Sequence, residues 1–360
     1  MDRVAIIGAG QTKLKAARPD QTFADLIYEA TTKALEHAQL KISDIDNIIT
    51  TSNDFLDGRT ISSMAVGDAA GAAFGEGKNT STVEGDGTFG AFYGLTRILS
   101  GSYGTTLVVA HGKQSEGDHH LITNAYLDPI YERSVGLDWL SAGGLQAAAY
   151  MARTKTTPEA LARVVVLNRA HGVKNPNAQH QTTLSEDQVM SSKQLCPPLR
   201  ELDLAPLSDG AAAIIFARED IAEKRCAKPV WVEGVAFSAD NGLTRRDLSR
   251  ATALTDAAKK AMSMAKISDA KREINVIELS EEFSYQEPMW LEAMGLDGVD
   301  GDRINPSGGA LCGHAPIAAG LVRMIEAAQQ LRSGPTGCRA LAHGQNGLAG
   351  QSHCVWILGN

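Results

Sequence analysis

A chain of 360 residues exceeds what one small core needs, so two core units are expected. Hydrophobic residues at 43% and charged ones at 21% describe a globular composition; a net charge of −8 and 5% aromatics argue against a general nucleic-acid surface, though not against a local basic patch. Five cysteines, an odd number with no CxxC, exclude a disulfide framework and a thiolate zinc site. Met1-Asp2-Arg3 runs straight into a strand pattern and no apolar run reaches membrane-spanning length. The expectation is a cytoplasmic protein with no membrane and no nucleic acid among its partners.

In chain order, residues 4–8 form an apolar, β-branched run that ends at Gly8-Ala9-Gly10, read as a buried strand followed by a glycine turn. Residues 22–40 carry Phe23, Leu26, Ile27, Ala30, Ala34 and Leu35 at helical spacing, with Thr22 or Gln21 near the N-cap. Strands are expected at 45–51 and 81–84, the latter running into Gly85-Asp86-Gly87, then a helix from Phe89 to Ser100 and a strand over Thr105–Ala110. From about 112 to 204 the periodicity weakens despite helices near 140–153 and 157–171, and a long insertion of this kind usually carries binding surface. Ser208-Asp209-Gly210 turns into a strand through Phe216.

The remainder repeats the beginning. Val230-Trp231-Val232, a helix pattern from Leu254 to Ile267 and Ile274–Leu279 echo the first strand, helix and strand. Gly320-Leu321-Val322-Arg323 and Ala340-Leu341-Ala342-His343-Gly344 echo Gly94-Leu95-Thr96-Arg97 and Val108-Val109-Ala110-His111-Gly112. Two copies of one strand–helix–strand unit imply a pseudo-twofold α/β protein with halves at 1–228 and 229–360, and a site where strand ends of the halves meet.

Several motifs resemble the thiolase superfamily, in the right order over almost the whole chain. They are Ala5-Ile6-Ile7-Gly8-Ala9-Gly10-Gln11-Thr12, Asn168-Arg169 with Asn175-Pro176, Ser208-Asp209-Gly210-Ala211-Ala212-Ala213, and Asn305-Pro306-Ser307-Gly308-Gly309 followed by Gly313-His314. The match is closest to the sterol-carrier and archaeal types. The resemblance implies two βαβαβαββ halves stacked as a five-layer α-β-α-β-α sandwich with an inserted loop region. It also implies chemistry at the Cα–Cβ bond of a 3-oxoacyl-CoA, with coenzyme A as substrate and no bound cofactor or metal. At least a homodimer is implied, and, for relatives without the usual cysteines, a small zinc-ribbon/OB-fold partner subunit.

The sequence departs from that family at the nucleophile. The resemblance places a cysteine on or beside Gly87, in Val83-Glu84-Gly85-Asp86-Gly87-Thr88, and glycine cannot attack a thioester. A His-Asp-Cys-Phe motif is replaced by Ser280-Glu281-Glu282-Phe283. Three readings follow. In the first, a 3-oxoacyl-CoA or 3-hydroxyacyl-CoA is cleaved or formed without an acyl-enzyme, by direct CoA thiolysis or retro-aldol chemistry, which needs a base and enolate stabilisation but no nucleophile. In the second, Cys312, two residues before His314, is the nucleophile of a thiolase, an acyl-CoA C-acyltransferase whose candidate substrates include aryl-substituted ones of the benzoylsuccinyl-CoA type. In the third, the chain is a non-catalytic subunit.

By motif, His314 and His343 are the proton-transfer and oxyanion candidates, Glu282 an added base, though spacing does not decide whether Glu281 or Glu282 points inward, and Ser280 a weak donor. Gly87, Asn305, Gly309, Gly344 and Tyr285 are the substrate-binding candidates. Asp86 is read as a turn former. His119, His120 and His180 in the insertion are read as solvated. Arg133, Lys155, Arg169, Lys174 and Lys193 are the cations available to CoA phosphates.

Overall fold

The computed structural model describes residues 3–58, 66–72 and 78–360. Its nine long strands are β1 Val4–Gln11, β2 Asn47–Ser52, β3 Asn79–Glu84, β4 Thr105–Lys113, β5 Asp209–Arg218, β6 Val230–Ala239, β7 Val276–Glu278, β8 Arg339–Asn346 and β9 Ser352–Gly359, hydrogen-bonded in the order β3-β2-β4-β5-β1-β6-β9-β8-β7. The order is mirrored about its centre. On one side β2 and β4 are parallel and β4, β5 and β1 antiparallel; on the other β7 and β8 are parallel and β8, β9 and β6 antiparallel. The strands of the two sides pair through Ala5 opposite Trp231 and Ile6 opposite Val230.

Among the described residues, seven helices are eight residues long or longer: α1 Phe23–Ala38, α2 Gly87–Leu99, α3 Trp139–Thr154, α4 Pro158–Gly172, α5 Thr252–Met264, α6 Gln286–Ala293 and α7 Ala319–Ser333. Helices α2 and α7 touch each other and strands from both sides of the sheet. Their Leu95, Ile98, Leu321 and Ile325 share one core with Ile6, Phe216 and Trp356. Helix α1 covers the outer face of the first side with Leu26, Ile27, Ala30 and Ala34. Helices α5 and α6 cover that of the second with Leu254, Ala257, Met289 and Trp290. The result is the five-layer arrangement that the motifs implied.

Local sequence explains the layers. Thr22 caps α1 in a reciprocal box with Asp25, its side chain accepting from the Asp25 N–H while the Asp25 carboxylate accepts from Thr22 N at 2.8 Å. Gly8 and Gly10 do not form the expected turn: β1 runs on to Gln11, and the glycines lie where it passes beneath α1. A Cβ on Gly10 would sit 2.4 Å from the Ala30 carbonyl oxygen and 2.5 Å from Ala34 N. Backbone cannot give way as a flexible side chain can, so Gly10→Ala is expected to cost about 1–3 kcal/mol, the usual penalty for overpacking. Urea unfolding checks this; an unchanged midpoint would mean that the close approach is not a constraint.

Segment 114–208 lies outside the sheet. Its helices α3 and α4 pack on the second side, where Trp139 stacks on Phe283 with ring centroids 5.3 Å apart and Tyr150 lies beside Tyr285. This brings the insertion against the residues that follow β7. Among the described residues, no helix is long and apolar enough to cross a membrane.

Candidate functional site

The N-termini of the two central helices converge on one carboxylate. Asp86 is the N-cap of α2: its Oδ1 accepts from Thr88 N at 2.9 Å and from the Thr88 hydroxyl. Its Oδ2 accepts from Gly320 N at 2.7 Å, at the start of α7, whose own N-cap, Ala318, has no capping side chain. Asp86 thus serves both mirror-related helices and meets two positive dipole ends. It is 2% exposed, and burial pushes its pKa up to about 6, the four hydrogen bonds from Thr88, Gly320 and Gly87 opposing that rise. Gly320 and Gly344 make the room: a Cβ on either would fall 2.2 Å from Asp86 Oδ1. Asp86 is therefore more than a turn former.

The neighbouring position 87 is closed. A Cβ there would lie 2.6 Å from Leu321 Cβ and 3.0 Å from Ala110 Cβ, while Gly87 N donates to the Ile317 carbonyl at 2.7 Å. No side chain larger than hydrogen fits without moving the central layer.

A narrow cleft of about 40 Å³ opens beside Asp86. Glu282 enters it from the segment after β7, and His119 and Tyr126 enter it from the insertion. Gln345 and Asn346 come from the end of β8, and Pro316 and Ile317 from the loop before α7. About a fifth of the Glu282 side chain is exposed, yet desolvation pushes its pKa up to about 7. Its neighbour Glu281 points the other way: it is fully buried, with Oε1 accepting from Asn305 Nδ2 at 3.1 Å. This settles which of the paired glutamates faces the cleft.

His314 stands behind Glu282, with Nε2 3.8 Å from Glu282 Oε1. Its backbone is pinned by hydrogen bonds to Pro206 O and from Ser208 N, while neither ring nitrogen has a protein partner. Burial pushes its pKa down to about 3, so the ring is neutral, with one donor and one acceptor free. Ser280 N faces His343 Nδ1 at 3.5 Å, so one short segment, 280–282, separates the two histidines. His343 is not among the cleft-lining residues. It is fully buried, tilted against the Trp290 ring with centroids 4.7 Å apart, and stacked on His353, whose Nδ1 lies 2.9 Å from its Nε2. The alternation of β8 turns Gly344 toward Asp86 and His343 away toward α6.

The other expected site residues form the scaffold. Ser280 is buried with its hydroxyl unpartnered. Tyr285 is fully buried and donates to Gln146 Oε1 at 2.8 Å. Asn305, at φ 45°, accepts from Leu279 N at 2.7 Å and donates to Glu281 and Glu287, while Gly309 lets the loop pass over that carboxyl. Cys312 is 1% exposed, donates to the Asn168 carbonyl at 3.3 Å, and has its pKa pushed up to about 12 by burial. It lies outside the cleft as a protonated thiol, a poor nucleophile. Among the cations, Arg133 is tied to the carbonyls of Ala125 and Leu127, Arg169 is buried, and Lys155, Lys174 and Lys193 are exposed.

His119, expected in solvent, lines the cleft instead. It packs edge-on to Trp139 with centroids 5.1 Å apart, its Nδ1 is 3.2 Å from Gln114 Oε1, and burial pushes its pKa down to about 4. His120 is exposed and pairs with Asp138, whereas His180 is half-buried, with its pKa pushed down to about 4. Tyr126 donates to Asn53 Oδ1 at 3.4 Å, and its phenol is pushed upward by burial and then by Glu282. Among the described residues, no group of three or more His, Cys, Asp or Glu side chains is placed to hold a metal.

No family model matches the chain. An acetyl-CoA acetyltransferase of Methanothermobacter thermautotrophicus is 31% identical over 372 aligned positions, covering 97% of this chain and 95% of that protein. Bovine sterol carrier protein 2 is 29% identical over 92% of this chain, which spans 66% of that protein's length. A solved Ltp2–ChsH2(DUF35) aldolase superposes with a TM-score of 0.81 over 99% of this chain and 97% of its own, at 20% identity, a likeness of fold. With 31% identity sustained over nearly the full length of both chains, the protein belongs to the thiolase superfamily alongside the archaeal acetyl-CoA acetyltransferases.

Proposed function

We propose that the chain cleaves or forms the Cα–Cβ bond of a 3-hydroxyacyl-CoA by aldol chemistry, with no acyl group bound to the enzyme. One observation carries this reading: the cleft holds a carboxyl, Glu282, tuned to about 7, and among the described residues no thiol. The closed position 87 and the buried, protonated Cys312 support the same reading against a covalent mechanism.

In the cleavage direction, the Glu282 carboxylate takes the proton of the substrate's 3-hydroxyl. The oxygen's electrons form a carbonyl, the Cα–Cβ bond breaks, and its pair moves onto the thioester as an enolate. The Asn346 amide on the cleft wall supplies a donor for that oxygen. Glu282 then returns its proton to Cα, giving a shorter acyl-CoA and a free aldehyde or ketone. His314 is a positioning residue here, with a neutral ring nitrogen 3.8 Å from the carboxyl to share its proton. Relatives in this superfamily act on CoA thioesters, and a solved protein of the same fold is an aldolase with a DUF35 companion. The proposal therefore includes CoA as the carrier, a homodimer and a small partner subunit.

The test is to incubate the protein, alone and with its candidate partner, with 3-hydroxyacyl-CoA and 3-oxoacyl-CoA esters, with and without free CoA, then to weigh products and protein by mass spectrometry. The expected result is a carbonyl product and a shortened acyl-CoA without consumption of free CoA and without added mass on the protein. An acyl adduct on Cys312 would overturn the reading. Full activity of the isolated chain would remove the partner.

A further inference from the structure

Gln345 is the least satisfied polar group on the cleft wall. It is 5% exposed and lines the cleft, yet neither its amide oxygen nor its amide nitrogen has a protein hydrogen-bond partner. Leaving both ends of a buried amide unmatched costs free energy on each, so such a side chain is retained where a ligand completes it. An amide offers an acceptor and two donors at one place. A hydroxyl is donor and acceptor together and matches it; a bare methylene does not.

The charge pattern of the same wall narrows the ligand further. Asp86 and Glu282 both face the cleft, and among its described lining residues there is no lysine or arginine. His119 supplies no charge either, since burial holds it neutral at physiological pH. A carboxylate on the acyl group would meet two carboxyls and no cation in a partly dehydrated space, where like charges are most costly.

We infer that the cleft selects an uncharged, hydroxyl-bearing acyl group, with Gln345 as the residue that recognises the hydroxyl, and that it rejects acyl groups ending in a carboxylate. The inference rests on the CoA-thioester reading and deepens it by naming the substrate class. It sets aside substrates of the benzoylsuccinyl type, which carry a carboxylate on the acyl chain.

Calorimetric binding at pH 8 of four probes tests it: free CoA, butyryl-CoA, 3-hydroxybutyryl-CoA and succinyl-CoA, with each ester recovered and checked for turnover by mass spectrometry. The expected result is that 3-hydroxybutyryl-CoA binds about ten-fold more tightly than butyryl-CoA, because a site built for a hydroxyl leaves its own polar groups unpaired without one. Succinyl-CoA is expected to bind at least ten-fold more weakly than butyryl-CoA. Gln345→Leu should cut the hydroxyl advantage several-fold, leaving only the share owed to Glu282, with butyryl-CoA binding as tightly as before or more tightly, and Gln345→Asn should retain more of the advantage. Equal affinity for all three esters, or a hydroxyl preference undiminished by Gln345→Leu, overturns the inference while leaving the thioester reading standing. Failure of every probe, free CoA included, overturns the thioester reading itself.

Discussion

Glu282→Gln is expected to lower kcat/KM by about 10²–10⁴-fold, the range over which a positioned general base contributes. The amide keeps the shape and removes the proton acceptor. The pH profile carries the sign. The carboxyl is pushed up to about 7, so the base is protonated and idle below that pH. Activity in the cleavage direction should therefore rise as pH increases through about 7. The variant should lose this rising limb along with most of its rate. Stability should move the other way. A carboxyl whose folded pKa lies above its unfolded value contributes stability at low pH that is lost as pH rises through the folded value. Replacing it with a neutral amide removes that loss, so the variant should be at least as stable as the parent at pH 8. Steady-state kinetics from pH 5.5 to 9 with parallel thermal unfolding measure both. Retention of more than a tenth of the rate, or an unchanged rising limb, would transfer the role of base to another group.

Asp86→Ala is the largest expected stability effect. The side chain caps α2 through Thr88 N and α7 through Gly320 N, and α7 has no cap of its own. With roughly 0.5–2 kcal/mol for each cap, the substitution should cost about 1–4 kcal/mol. It also strands the Thr88 hydroxyl, which donates to the same oxygen. Asp86→Asn, which keeps an acceptor oxygen, should recover part of the loss. Urea unfolding at pH 7.5 reads the difference, and a cost below about 0.5 kcal/mol for the alanine variant would mean that water replaces the carboxylate at both helix ends.

The elements and their repetition were legible because they rest on periodicity, which the sequence displays directly: Leu26, Ile27, Ala30 and Ala34 repeat at helical spacing, and the segments that echo one another became β4 and β8, α2 and α7, whereas the five layers came from the resemblance of the motifs. The glycine turn at Gly8–Gly10 failed because a glycine needed for contact with a helix backbone looks, in sequence, like a glycine needed for a bend. The site was legible in part. The motifs located Glu282 and the Gly-His loop, but motif position does not give side-chain direction. Thus Glu281 and Glu282 could not be ordered, and His343, at the end of a strand like His111, turned out to pack against Trp290. His119 and Tyr126 escaped because the insertion that bears them has no strong period. Their place in the cleft depends on α3 docking Trp139 against Phe283, a contact between residues far apart in the chain. Gln345 had no signal at all, since a missing hydrogen bond is visible only in three dimensions.

The bond from Gly320 N to Asp86 joins the two mirror-related parts of the chain at the floor of the cleft, while their strands share only the pairs Ala5–Trp231 and Ile6–Val230. The carboxylate is therefore a rivet as well as a cap. Prising the two sides apart to admit a ligand would first have to break it, uncovering two helix ends at once. The wall that the insertion contributes, with His119 and Tyr126, is held instead by side-chain packing, Leu127 and Trp139 lying within the core of the second side.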